Sequence, residues 1–463
     1  DWSSDVCSSD LNSFMKKMVA LACAGLMVAS VVTGCGSKKD DADKSGGEKR
    51  VLKFDSFSGG NGEEVWKDLE AAFEKKYPEV DVQMRFEKDL PAVLNKENAT
   101  GTYSDLVYYN VGQKSGFTES QLNSGEVMDI SDVFANAKDV DQAFADSSVS
   151  KYLGDGKNYL APIMYTPGAF FYNAELIGEG KKYALPSTWD EMFALGDQLK
   201  KEKGPALFTY PVKGYFDNTL IGMYKQLGIL DKALSYDDST WTSKEGTKIL
   251  ETVGKLVAKE NGYLFKDTVA NANAKDGFTN NQQAVIDGKA LFMPNGYWVK
   301  NEMSKTTPEK GFKWGVMALP AFEKDGKRAI ASFTEQAWIP KQAKNSADAK
   351  KFLEFIYSEE GAEIMLKHDI VAPVKGITDK IDKNSDLGKA FATYSEKNVE
   401  TIVGASYAAY DKKALPKLDF NASLYGPIDD IATGKKDVAT WKSELIKLWK
   451  ELKANPEIGR ASC

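Results

Sequence analysis

Tyr159–Asn173 reads YLAPIMYTPGAFFYN, and the architecture turns on it. A short apolar run meets Pro162, then Thr166-Pro167-Gly168, then a second apolar run ending in Phe171-Tyr172-Asn173. Proline has no backbone donor and holds φ at about −65°, so neither proline suits a central strand. The stretch predicts two short strands joined by a stiff irregular piece. Strand–helix alternation is complete before it and begins afresh after it. That predicts a first crossing between two α/β lobes, and a cleft between lobes is a usual place for a small-molecule site.

On the N-terminal side, Val51–Phe57 reads as a strand ending in the polar loop Ser58-Gly59-Gly60-Asn61-Gly62. Val65, Leu69 and Phe73 recur at helical spacing beside Trp66, and Pro78 stops the helix. Val80, Val82, Met84 and Phe86 alternate as a half-buried strand. Asp105–Tyr109 is a short buried run that delivers Asn110-Val111-Gly112-Gln113. This order predicts a parallel sheet covered by helices.

On the C-terminal side, Thr188 caps a helix carrying Trp189, Met192, Phe193 and Leu199. Ala206–Tyr210 is the next strand, Thr242-x-x-Glu245 reads as a capping box, and a helix near Gly277–Asp287 leads to the strand Lys289–Met293. Ala329–Ile339 is a strand, and Ala347–Tyr357, Gly361–Lys367 and Val438–Leu452 are helical. Trp66, Trp189, Trp441 and Trp449 sit at helical spacing with other apolar residues and read as core.

The bulk properties narrow the function. The chain has 463 residues, 42% hydrophobic and 27% charged, which is a soluble globular balance with room for more than one domain. A net charge of −7, with Lys and Arg interspersed among Asp and Glu, argues against nucleic acid as a partner.

Both ends carry signals unrelated to the fold. Residues 1–14 and 457–463 resemble translated sequencing adapter, with DWSSDVCSSDL at one end and EIGRASC at the other. Residues 15–35 read as an export leader. Lys16-Lys17 precede the apolar run Val19–Val32, which is too short for a comfortable bilayer span. Val32-Thr33-Gly34-Cys35 resembles the lipobox of bacterial lipoproteins, which implies acylation of Cys35. Residues 36–50 contain no hydrophobe larger than Ala and read as a flexible tether. Cys7, Cys23, Cys35 and Cys463 all lie outside the body, so a disulfide framework, a Cys-ligated metal and a Cys nucleophile are not expected.

Several stretches fall together in one order. They are Phe57-Ser58-Gly59-Gly60 ahead of a helix ending AAFEKKYP, FFYNAELI followed by LPSTWDEMFALGDQLK, then DGKALFMPNGYWV and SFTEQAWIPKQAKNSADAKKFLEFI. From about Val51 to Leu452 the chain resembles the extracellular solute-binding proteins of carbohydrate ABC importers, the branch related to maltose-binding proteins. AAFEKKYP to ALFTYPVKGYF is most similar to members that take N-acetylglucosamine or chitobiose. The resemblance implies a periplasmic-binding-protein-like type II α/β fold, with two discontinuous lobes and three hinge crossings. By matching motifs the crossings fall near Tyr159–Tyr165, Met293–Gly296 and Ala331–Ala337. Lobe one is then 51–161 plus 295–332, and lobe two 162–294 plus 333–456. It further implies a monomer on the outer face of the bacterial cytoplasmic membrane, tethered through Cys35, with permease subunits as partners and no cofactor or metal.

A neutral sugar presents hydroxyls at its edge and apolar C–H faces, so its site needs planar polar groups and aromatic rings. The loops at strand ends and crossings carry both. They offer Phe57, Ser58, Gly60 and Asn61, then Asn110 and Gln113, then Tyr165. Tyr215, Phe216 and Asp217 follow, then Asn295, Tyr297 and Trp298, and last Glu335. Open α/β sheets place ligands at such positions. The resemblance implies that Trp298, after Asn-Gly-x, is a stacking ring. No Arg occurs in these loops, which argues against an anionic ligand.

Catalytic readings have little to stand on. His368 is the sole histidine, at a helix end suited to capping, and neither a Gly-x-Ser-x-Gly elbow nor a His-Glu-x-x-His motif is present. A surface glycoside-acting enzyme with paired carboxylates is the alternative from another class, and a sensor lipoprotein on the same fold is a third.

Overall fold

The computed structural model describes residues 48–113 and 116–457. The expectations for residues 1–47, including Cys35 and most of the tether, lie outside the described residues. Alternation in β1 (Arg50–Phe57) buries Leu52 and Phe54 completely. β1 lies between β2 (Val80–Glu87) and β3 (Leu106–Tyr108) and runs parallel to both. The helix Glu64–Lys76 lays Val65, Trp66, Leu69 and Phe73 on this sheet, with the Trp66 ring edge-on to Phe54 at 5.2 Å. Arg50 ties β1 to the helix Ser346–Ile356 through Asp348 at 2.8 Å.

The proline-bearing stretch folds differently from its reading. Ala161–Asn173 is one strand, β4, with a register shift between Pro162 and Met164. Its first half pairs along one long side with β8 (Arg328–Trp338), so a residue without a donor is tolerated. Its last residues lie between β6 (Ala290–Asn295) and β7 (Trp314–Met317). β8 likewise runs through. Its end pairs β3 at Val107–Trp338, and its beginning pairs β9 (Val399–Val403). The sheet order is β2-β1-β3-β8-β4-β6-β5, with β5 being Ala206–Phe208.

This pairing corrects the expected lobe boundaries. β6 and β7 both flank the end of β4, so residues 295–332 return to the sheet they left rather than crossing at Met293–Gly296. The helices Ser346–Ile356 and Glu359–Lys367, expected in lobe two, pack instead on Glu64–Lys76 beside β1. The helix Asp386–Ala392 then packs on β7, β9 pairs β8, and the helices Phe420–Thr433 and Val438–Ala454 pack on Lys244–Val257. Which sheet edge a strand joins depends on partners far away in the chain, so no local spacing reveals it.

Local capping follows the side chains. Thr188 and Glu191 form a capping box at the start of Trp189–Glu202. The second expected box is displaced by one residue: Ser243 caps Lys244–Val257 by accepting from the Gly246 N–H at 3.0 Å. Trp441 and Trp449 are buried, their indole N–H groups donating to the carbonyls of Leu424 and Ala233. His368 ends the helix Glu359–Lys367, and its ring Nε2 lies 2.8 Å from Asp68 Oδ2. The described residues belong to one compact unit that begins at Glu48.

Candidate functional site

β1, β5 and β6 each end in a loop, and these loops converge. The loop after β1 brings Gly60 and Asn61. The segment after β5 brings Tyr215, and the turn after β6 brings Tyr297 and Trp298. Each turn has a local cause. The Asn295 carboxamide accepts from the Gly296 N–H at 2.9 Å, and the Tyr297 N–H donates to Thr166 Oγ1 on β4 at 2.8 Å. A side chain at Gly60 would place Cβ 3.3 Å from the Trp298 ring, so any larger residue asks the indole to give way by a few tenths of an ångström.

Asn61, Met164, Tyr165, Thr166, Tyr297, Trp298 and Glu335 line one cleft, closed at its far wall by Asp369, Ile370, Val371 and Phe391. The Tyr215 ring meets Trp298 edge to face at 6.1 Å, and Phe333 meets it edge to face at 5.1 Å. Phe333 and Glu335 alternate onto the same face of β8. Asn61 Nδ2 donates to Glu335 Oε1 at 2.9 Å and lies 3.2 Å from the Met164 sulfur. These contacts leave a cavity of about 20 Å³, room for roughly one water, so the cleft is nearly shut.

Glu335 is 6% exposed, and burial pushes its carboxyl up to about 8 against the opposing Asn61 hydrogen bond. Burial also raises the Glu302 carboxyl, which accepts from Gln282 Nε2 at 2.6 Å. The Tyr215 hydroxyl is pushed above its ordinary range by burial first and by Glu302 second. The Tyr297 hydroxyl is buried with no hydrogen-bond partner.

Other candidates from the sequence fall elsewhere. Phe57 packs on Tyr108 and Tyr109, at 4.8 and 5.8 Å, and Ser58 is exposed. Asn110 is buried, its oxygen accepting from the Gln336 N–H of β8 at 2.7 Å, and it does not line the cleft. Gln113 accepts from the Gly116 N–H through its backbone and does not line the cleft. Phe216 is fully buried against Phe208 and Tyr210. Asp217 accepts from the Tyr425 hydroxyl, and burial pushes its carboxyl up to about 6. Asn295 shapes its turn and does not line the cleft.

Met164, Thr166, Asp369, Val371 and Phe391 were not anticipated as cleft residues. Asp369 adopts a positive φ of 58° just past His368, and Lys300 Nζ meets its carboxylate at 2.7 Å. A larger groove of about 860 Å³ lies between Lys213, Asp429 and the helices Phe420–Thr433 and Val438–Ala454. It has no aromatic ring in its lining and holds none of the anticipated residues.

A mixed sheet split by two through-running strands, with loops from parallel strand ends facing across a cleft, defines a solute-binding architecture. The bacterial extracellular solute-binding protein family matches residues 68–386, and the chain belongs to that family. The multiple sugar-binding protein of Streptococcus mutans is 24% identical over 342 residues, 68% of this chain and 73% of that protein. The diacetylchitobiose binding protein NgcE of Streptomyces coelicolor is 30% identical over 200 residues, 40% of this chain and 39% of its own length. An ABC substrate-binding protein from Listeria monocytogenes, solved in complex with cycloalternan, superposes with a TM-score of 0.65 at 15% identity. That superposition covers 87% of this chain and 99% of the Listeria protein, and it establishes the periplasmic-binding-protein-like fold.

Proposed function

We propose that the protein captures a carbohydrate between two closing lobes and delivers it to the permease of an ABC importer. The observation that carries this reading is the convergence of Tyr165, Tyr297 and Trp298 with Asn61 and Glu335 on one cleft, with Tyr215 packed against Trp298. Rings suit the apolar faces of a sugar, and the amide, carboxyl and phenol groups suit its hydroxyls. The sugar-binding relatives support the same reading.

The lobes in this reading meet at β4 and β8. One holds β1, β2 and β3 with the helices Ser346–Ile356 and Glu359–Lys367. The other holds β5, β6, β7 and β9 with the last helices. A cavity of about 20 Å³ is far below the 300–1,000 Å³ of ordinary ligand sites, so binding requires the lobes to part and close again. Asn61–Glu335 and Gly60–Trp298 are the contacts that a ligand replaces.

The protein acts as a monomer, held to the outer face of the cytoplasmic membrane by lipid on Cys35. Among the described residues no helix is long and apolar enough to cross a membrane. Mass spectrometry of the N-terminal peptide checks the anchor: a diacylglyceryl Cys35 is expected, and an unmodified or uncleaved peptide contradicts it. For the ligand, melting temperature is followed against a panel of free sugars. At least one carbohydrate should raise it, and a flat panel contradicts the proposal.

A further inference from the structure

We infer that the sugar taken by this cleft carries a protonated amine, so that a cationic amino sugar is preferred over its N-acetylated or purely hydroxylic counterpart. The inference deepens the carbohydrate reading and rests on it.

The argument begins with the charges that line the cleft. Glu335 is 6% exposed, and the hydrogen bond it receives comes from the neutral Asn61 amide at 2.9 Å. To ionise, such a buried carboxyl needs a charged partner that offsets its lost hydration, and a neutral donor does this poorly. The other groups around the cleft do not supply one. Asp369, on the far wall, already holds Lys300 at 2.7 Å. Glu302 stands beside Gly60 and takes its hydrogen bond from the neutral Gln282. Tyr165, Tyr215 and Tyr297 are phenols whose burial keeps them protonated. Of these three carboxyls, Asp369 has a cationic partner, while Glu335 and Glu302 are held by neutral amides.

The rings point the same way. Tyr297 and Trp298 line the same cavity as Glu335, and a cation against such rings is attracted by their quadrupoles. A ligand ammonium would meet a carboxylate and an aromatic wall together. A hydroxyl or acetamide at the same position offers only another neutral donor.

Burial gives the pairing a signature. With Glu335 pushed up to about 8, the cleft holds it protonated at neutral pH. An arriving ammonium favours the ionised form, so the proton leaves to solvent as the ion pair forms.

Three disaccharides of one linkage isolate the amine: β1,4-linked diglucosamine, its N,N′-diacetyl form, and cellobiose. They differ at C2 in carrying an ammonium, an acetamide or a hydroxyl. Isothermal titration of the intact protein near pH 6.5 should find the diamine bound about tenfold more tightly than either counterpart. Repeating it in buffers of different ionisation enthalpy should show net proton release for the diamine alone. Glu335→Gln should bring the three affinities within about twofold. The wild-type comparison and the proton count do not depend on that variant folding. An acetylated or neutral sugar that binds as tightly as the diamine, or more tightly, overturns the inference and leaves the carbohydrate reading standing. Failure of these and of the wider sugar panel to bind overturns both.

Discussion

The Trp298 indole and the Tyr215 ring meet edge to face with centroids 6.1 Å apart, although they follow different strands. β5 and β6 run parallel, so their carboxyl ends place these two rings on one rim. Gly60 comes to the same indole from the loop after β1. Trp298 is therefore where both sides of the cleft meet. Trp298→Ala should weaken sugar binding about 10- to 100-fold in titration, with most of the ligand-induced rise in melting temperature lost. An unchanged response would remove the ring from the site.

Gly60 predicts a graded effect. Its absent side chain leaves 3.3 Å between a notional Cβ and the Trp298 ring, so alanine asks the ring to shift by a few tenths of an ångström. Gly60→Ala should change affinity by less than about threefold, and Gly60→Val by more than about tenfold, because the branched side chain holds the lobes apart. Titration of both against one sugar checks the order.

Neighbouring residues 215 and 216 should separate by kind of defect. Phe216 is fully buried in contact with Phe208 and Tyr210, so Phe216→Ala should cost about 3–5 kcal/mol in denaturant unfolding. Tyr215→Phe should leave stability nearly intact and alter ligand affinity alone. The paired measurement distinguishes core from rim.

Glu335 and Asp217 predict how stability varies with pH in the absence of ligand. Burial raises their carboxyls to about 8 and about 6, above the ordinary range. Below about pH 3 both are protonated whether folded or unfolded, and pH has no leverage through them. Between about 3 and 8 the folded chain holds these protons more tightly than the unfolded one, so stability falls as pH rises. Above about 8 the loss is complete. Melting temperature across this range should decline, and Glu335→Gln should flatten the upper part of the decline.

Much of the fold was legible in the sequence because the signals are local. Helical spacing placed Trp66, Trp441 and Trp449 in the core, where they are at most 1% exposed. Alternation located β1, β2 and β8 to within a residue or so at each end. The prolines of β4 misled, because an edge-paired half of a strand tolerates what a central strand does not. The lobe boundaries failed for a related reason: β7 and the helix Ser346–Ile356 are assigned by partners far off in the chain.

Residue type alone did not separate cleft from core: Phe57 and Phe216 looked like Tyr297 and Trp298, yet they pack among buried rings. Asn110 and Glu335 looked alike as acceptors, yet Asn110 is taken up by the backbone N–H of Gln336 and only Glu335 reaches the cavity. Asp369 and Val371 follow the helix Glu359–Lys367 and Phe391 lies on the helix Asp386–Ala392, with no motif to mark them.

Closure on a sugar is tested most directly by the distance between the two halves of the molecule. The cysteines of the chain are Cys7, Cys23, Cys35 and Cys463, so a version spanning residues 48–457 accepts a single pair of labels. Cysteines replacing the exposed Lys75 and Ala439 would carry spin labels on the helices Glu64–Lys76 and Val438–Ala454. With a sugar that raises the melting temperature, the spin–spin distance distribution should change from a broader one to a single narrower population. Identical distributions with and without saturating sugar would contradict the account.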